Sequence, residues 1–402
     1  MTGLRGPRAA VAGSALAIFW PGAMTFGFPG VMAAHWARTF EASQGAVGQI
    51  IFFLLAAVGS FMFLTGRWQE RLGPRRMMTI GALATGLNVL IAAAASNMLM
   101  IYLWAFINGA ASCFVYLPAL TTVQLWHPGR RGLVSGLVNM AFAAAAAVVA
   151  PLLSFLLTAV GYSATCLIAA GAALLTGLLA APLTGLPPAE RRSQPEPPAG
   201  PGPGVPASLP LAQGLRSRNF WLLWSAWVFQ GAAGVAMITL STAFGLARGF
   251  ELKEAVIILT AYNLTSGLSR LATGLLSDII GRSLTIGLAS LAAGLAYLCL
   301  PHVTSLAFMA VLAGAVGLGI GTMFSVSAPL ASDCFGPKHF GAIFGAVFTG
   351  YGFLSGLLGP ALGGHILDAT QGDFTLVFTY LGFFCLATSV LIAFIRPPGR
   401  ER

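Results

Sequence analysis

The sequence predicts an all-α membrane protein: twelve transmembrane helices in two six-helix bundles. Three observations predict it: a composition that cannot face water all round, twelve apolar stretches of bilayer length, and a motif pair that returns after a fixed interval. Of the 402 residues, 57% are hydrophobic and 8% are charged, whereas a soluble domain carries about 25% charge. Mean hydropathy is +0.84, so most of the surface must meet hydrocarbon. No catalytic triad, nucleotide loop or metal-ligand cluster is present in the sequence. Gly319-x-Gly321 falls inside a span, away from any phosphate-binding context. A monomeric, non-enzymatic protein without cofactor or metal is expected.

The first span, about 11–35, follows Arg5 and Arg8 and so imitates a signal peptide. It has no small-residue cleavage site and many more spans follow, which marks it as a transmembrane helix. Spans 2 to 6 fall at about 46–66, 77–95, 98–125, 132–159 and 162–184. Residues 185–218 hold a run of prolines and glycines from Pro187 to Pro206. Such a segment cannot bury a core and reads as a flexible tether. Spans 7 to 12 follow at about 219–247, 255–276, 284–300, 305–332, 340–367 and 374–395. Each approaches the roughly 20 residues needed to cross hydrocarbon. Helices are required because every backbone group must bond within its own segment, and barrel-type alternation is missing. The domains are therefore 1–184, the linker 185–218, and 219–402. Cys113, Cys166, Cys299, Cys334 and Cys385 lie in or beside these apolar runs without metal spacing, as reduced packing residues.

Orientation follows from the basic residues. With a cytoplasmic N-terminus, 17 of the 21 lysines and arginines fall on the cytoplasmic side. Only Arg38, Arg248 and Lys253 fall on the other, and Arg270 alone is inside a helix. This is the positive-inside pattern, with both termini cytoplasmic in a cell inner or plasma membrane. The net charge of +10 is thereby explained without a nucleic-acid partner; the partner is the lipid bilayer.

The halves repeat. Gly66-x-x-x-Glu70-Arg71-x-Gly73-x-Arg75-Arg76 stands between spans 2 and 3, and Gly274-x-x-x-Asp278-x-x-Gly281-Arg282 stands between spans 8 and 9. Gly132, Gly136 and Pro151 in span 5 are matched by Gly341, Gly345 and Pro360 in span 11. A duplicated six-plus-six transporter is the plain reading. The Gly66-to-Arg76 stretch resembles the cytoplasmic loop motif of the major facilitator superfamily. Phe26-Gly27-Phe28-Pro29 in span 1, Trp126-x-x-x-Arg130-Arg131-Gly132-Leu133-x-x-Gly136 entering span 5, and Arg270 in span 8 resemble the monocarboxylate transporter family within it. Within that family the chain resembles a bacterial lactate transporter, and the oxalate/formate antiporters are similar too.

Arg270 carries the functional argument. It lies eight residues from Asp278, about 12 Å deep at 1.5 Å per residue, in a core about 30 Å thick. A central arginine costs on the order of 2.5–3.5 kcal/mol even on a lenient scale. All eleven acids of the chain lie outside the span centres, so a fixed internal ion pair has no partner. A visiting carboxylate fits the guanidinium fork with two charge-assisted bonds. Ser266 and Asn263 share a face with Arg270, and could bond a substrate hydroxyl or simply pack. Tyr116, Asn139, Gln230 and Tyr351 are polar at mid-depth. Phe28 and Pro29 break span 1, where a broken helix borders a site or merely kinks. Glu70, Arg71, Arg75, Asp278 and Arg282 cap the cytoplasmic gate, where an acid can dock on a neighbouring helix N-terminus as a latch.

The chain departs from the family it resembles at two positions. The resemblance implies a lysine after the span 1 proline and an aspartate four residues before the arginine; Gly30 and Ser266 stand there. Losing both together avoids stranding one charge in low dielectric, but removes the family's internal proton acceptor. The antiporters' second cation is also missing, since 340–366 holds no lysine or arginine. The expectation is a transporter of a small monocarboxylate such as L-lactate or pyruvate, working by alternating access with proton symport. A proton-independent anion exchanger and a drug exporter are the other classes.

Overall fold

The computed structural model describes residues 6–127, 131–187, 209–336 and 340–396. Twelve helical rods run through it, and no strand occurs among the described residues. In chain order they are α1 (Pro7–Thr39), α2 (Gln44–Leu72), α3 (Pro74–Ala93), α4 (Met98–Trp126), α5 (Arg131–Ala159) and α6 (Tyr162–Ala180). The second six are α7 (Arg218–Ala247), α8 (Leu252–Ile280), α9 (Arg282–Cys299), α10 (Leu306–Phe335), α11 (340–369) and α12 (Phe374–Ala393). Eleven of them are long and apolar enough to cross a membrane. The exception is α8, whose polar load of Asn263, Ser266, Ser269, Arg270 and Thr273 dilutes its hydropathy. These polar residues are all buried, while Leu264, Leu268, Leu275 and Ile279 are exposed. Such a helix turns its polar stripe inward and its leucines to lipid.

Termini and linker ends share one face. Asn219 Nδ2 donates to the Arg396 carbonyl at 2.9 Å, the Leu209 N–H to the Phe335 carbonyl at 3.0 Å, and Trp126 Nε1 to the Gly185 carbonyl at 2.7 Å. The expected tether falls mostly on 188–208, outside the described residues. Its far end is not plain coil: Leu211–Arg216 forms a short helix.

The sequence repeat is also a packing repeat. Helix α4 packs on α2 and α3, as α10 packs on α8 and α9; α3 packs on α6 as α9 does on α12; α1 packs on α5 as α7 does on α11. The paired motif glycines share one geometry. Gly73 ends α2 with φ 76° and Gly281 ends α8 with φ 96°, a region that favours glycine. Each sends its N–H back to the helix, to Gln69 and Ser277 respectively.

Between the halves, α5 lies along α8 and α2 along α11, two seams equivalent under the repeat. A third contact joins the outer part of α1 to α7. Gly30 there sits so close to the Ile238 carbonyl that any Cβ would collide. This gives the missing lysine a structural reason, because in this arrangement only glycine lets α1 and α7 touch. Helix α1 breaks at Gly27, just before Pro29, as a proline without N–H and with a restricted predecessor dictates. Helix α11 is π-helical over Gly350–Ser355 and Leu357–Ala361, a wide form concentrated at functional sites.

Candidate functional site

Where α1, α2, α4, α5, α10 and α11 converge, they enclose a cavity of about 60 Å³. Six aromatic rings form its wall: Phe26, Tyr116 and Phe142 from the first half, and Phe324, Phe348 and Tyr351 from the second. They hold one another edge-on, Phe26 to Phe142 at 5.5 Å, Tyr116 to Phe142 at 5.3 Å and Phe324 to Tyr351 at 5.4 Å. This geometry suits the ring quadrupoles. Thr25, Ser112 and Cys113 add small polar patches, with Thr25 Oγ1 and Ser112 Oγ 3.4 Å apart.

Arg270 stands directly behind this wall, 3% exposed. Its guanidinium carbon lies 4.3 Å from the centre of the Phe324 ring, a cation–π contact. Nη1 makes a long 3.5 Å bond to the Asn139 carbonyl of α5, and Nε has no hydrogen-bond partner. Among the described residues no carboxylate is within ion-pairing distance of it. Five N–H donors in a fixed fork are thus met by one weak acceptor and one aromatic face, and the group keeps capacity for an anion.

The geometry sorts the candidates from the sequence. Tyr116, Asn139, Tyr351 and Arg270 come together: the Tyr116 hydroxyl donates to Asn139 Oδ1 at 2.6 Å, and Asn139 in turn receives Arg270. Asn263 and Ser266 are buried on the same helix but do not line the cavity. Asn263 Nδ2 reaches across the halves to the Phe26 carbonyl at 3.4 Å, beside the break in α1. Ser266 lies with its backbone against Gly321 of α10.

Two candidates face elsewhere. Phe28 packs against Trp36 and Trp104 at 5.8 and 5.1 Å inside the first half; Phe26 takes the cavity position. Gln230 is fully buried within the second half, its amide nitrogen beside Gly319 of α10.

The Glu70 side chain lies outside the described residues; Arg71 and Arg75 are exposed. Among the described residues Asp278 has an ion-pair contact with Arg282 and no hydrogen bond to a helix end. It is 69% exposed and lies 4.0 Å from Arg282. Arg282 instead ties α9 to α10 through Asp333 Oδ1 at 2.6 Å and the Pro329 carbonyl at 2.6 Å. Phe324, Phe142 and Phe348 carried no sequence signal, being phenylalanines among 28. Ser112, one helical turn from Tyr116, was findable by its i, i+4 spacing.

Twelve membrane helices in two repeated bundles around a central cavity define a secondary transporter. The Major Facilitator Superfamily matches residues 14–259 and 249–402, and the chain belongs to that superfamily. Among relatives, monocarboxylate transporter 11 of Mus musculus is 28% identical over 90% of this chain and 80% of its own. The oxalate:formate antiporter of Oxalobacter formigenes is 26% identical over 83% and 79%. An agnestins efflux protein of Paecilomyces divaricatus is 27% identical over 90% and 81%. In fold, a bacterial homolog of the human lysosomal transporter Spinster, in an inward-facing and occupied conformation, superposes with TM-score 0.70 at 14% identity, over 96% of this chain and 94% of that one. This is a multi-pass membrane transporter rather than an enzyme.

Proposed function

We propose that the protein carries a small monocarboxylate, such as L-lactate or pyruvate, by alternating access. The observation that supports this most is the buried Arg270 fork, which has no carboxylate partner among the described residues yet stands one ring from the central cavity. A cargo carboxylate would supply two parallel charge-assisted bonds, with the Tyr116 hydroxyl at hand for a second polar contact. One fixed cation balances one anion, which favours a monocarboxylate over a dicarboxylate. The aromatic wall suits a short apolar tail. A cavity of about 60 Å³ holds about four to six waters at ~10–15 Å³ each, so six heavy atoms enter with a small parting of the halves. Residues 1–184 rock against 219–402, joined by 185–218, with both termini in the cytoplasm and the protein in the inner or plasma membrane. Proton symport makes the cycle electroneutral. Similarity to a monocarboxylate transporter supports this reading.

The test is uptake of labelled L-lactate into proteoliposomes. Arg270→Ala should lower it by about 100-fold, as for removing one partner of a buried charge pair, with insertion and elution profile unchanged. Undiminished uptake by that variant overturns the proposal. A second reading, anion exchange without protons, is favoured by the similarity to an oxalate:formate antiporter. It requires a counter-anion inside the vesicle; uptake driven by a pH gradient alone removes it.

A further inference from the structure

The distal face, opposite the termini, carries an inter-half contact of a different kind. Asp368, near the end of α11, accepts the Gln44 N–H on Oδ1 at 2.7 Å and the Gly45 N–H on Oδ2 at 2.8 Å. These are first-turn donors of α2, which no carbonyl of that helix can satisfy. Ser43 Oγ takes the Ala46 N–H at 3.2 Å and leaves the other two to Asp368. The positive end of the helix dipole adds to the attraction. Just beneath, Gly48 lies against the Pro360 carbonyl and Gly364 against the Gln44 carbonyl. Arg270 to the Asn139 carbonyl and Asn263 to the Phe26 carbonyl also cross between the halves, but at 3.5 and 3.4 Å. Those two are long for N–H···O bonds; the Asp368 pair is short.

The duplicated seam is built differently at the same place. Leu252 opens α8 as Gln44 opens α2, at the interval that separates the leading glycines of the two loop motifs. Helix α8 caps itself: Glu251 and Glu254 form a capping box, with the Glu251 N–H donating to Glu254 Oε2 at 3.0 Å. The residue of α5 that corresponds to Asp368 is Ala159, the last of that helix, and it has no side-chain acceptor to offer. Helix α8 can therefore part from α5 with its cap intact, whereas α2 cannot part from α11 without losing one.

We propose that Asp368 is an inter-half helix cap that ties the distal gate, so that opening towards the distal side must uncap α2. The inference rests on the alternating-access reading above. When the seam parts, two N–H donors and a helix end lose one acceptor together. Asp368 is exposed, so water takes up the freed donors and the bias is that of a surface cap, about fivefold in the population of the distal-open state. Opening on the side of the termini leaves the cap in place and gains nothing from its removal.

Cys113 in the cavity wall, 1% exposed, reports the opening. In a Cys299→Ser background, which removes the exposed thiol, a membrane-impermeant maleimide is added to proteoliposomes at one fixed pH, from the distal face or from the face of the termini. D368N keeps the shape of the side chain but turns one acceptor into a donor that confronts an N–H. Its labelling rate from the distal face should rise about fivefold, while the rate from the other face should not rise. Gln44→Pro, at a first helical position where proline is tolerated, removes one donor and leaves the acid intact. It should give the same pattern, and it decides the question should D368N elute as misfolded protein. Glu254→Ala, which strips α8 of its own cap, should change neither rate. An unchanged distal rate, a rise on both faces, or an equal distal rise in Glu254→Ala overturns the cap. Labelling needs no cargo. Failure of lactate uptake with the labelling pattern intact therefore sinks the cargo assignment alone, and the converse sinks the cap alone.

Discussion

The two seams between the halves descend from one ancestral seam, since α5 against α8 and α2 against α11 exchange under the internal repeat. They have diverged in opposite directions. The α5–α8 seam is α-helical throughout, carries the buried cation, and brings Arg270 to the Asn139 backbone. The α2–α11 seam has no buried charge among the described residues, runs partly as π-helix, and is fastened at its outer end by a carboxylate. Duplication supplied the frame twice; under the proposed function, recognition falls to one copy and pliability to the other. That division is physically reasonable, because a buried charge demands a rigid, fully packed surround, whereas a moving gate demands a backbone that can change pitch.

Substitutions can break or sharpen this comparison. The largest effect is expected at the rigid seam. A Cβ at Gly267 would lie 2.9 Å from the Ala144 N atom, so Gly267→Ala should overpack α5 against α8 and cost about 1–3 kcal/mol. It would be read as a lower apparent melting temperature in detergent together with loss of uptake. Gly356→Ala, with its Cβ 2.7 Å from the Phe52 α-carbon, is the matching change in the pliable seam. It should cost less than Gly267→Ala, since π turns can absorb a small displacement; an equal or larger loss would erase the distinction. Next comes Tyr116→Phe, which leaves Asn139 Oδ1 without its 2.6 Å donor. It should weaken cargo affinity by roughly tenfold, in line with about 1–3 kcal/mol for an unsatisfied buried acceptor. The smallest effect is expected for Asp278→Asn. An exposed pair at 4.0 Å contributes about 0–1 kcal/mol, so stability and uptake should stay within error of wild type.

The fold was legible because a bilayer imposes one rule on every span. Segment boundaries read from hydropathy agree with the helices to within a few residues, as at 98–125 against Met98–Trp126. The longer discrepancies, such as 46–66 against Gln44–Leu72, arise where polar turns of a helix emerge from the apolar layer. Arg270 was legible for the same reason, a lone charge being conspicuous in a nonpolar stretch. Rotation about each helix axis was not. Where apolar residues surround a helix, nothing in composition says which side faces in, so the sequence marks Gln230 of α7 as polar at mid-depth without saying that it is buried inside the second half. Phe28, next to the break at Gly27, packs on Trp36 and Trp104 inside the first half, a rotation no spacing rule supplies. Asp368 escaped notice because an acid at a helix end looks solvated, and its partners lie 324 and 323 residues away in sequence.

The Phe324 ring over Arg270 has a consequence for the return journey of the carrier. An unloaded carrier must reorient with its positive charge uncovered, which hydrocarbon resists. A phenyl face offers about 0.5–2 kcal/mol of relief, enough to quiet the guanidinium between deliveries and too little to compete with a carboxylate that arrives. Under the proposed function the ring is a placeholder for the passenger. On that account the empty vehicle can cross back unaccompanied, which permits net accumulation where a carrier without such a placeholder would be confined to swapping one anion for another.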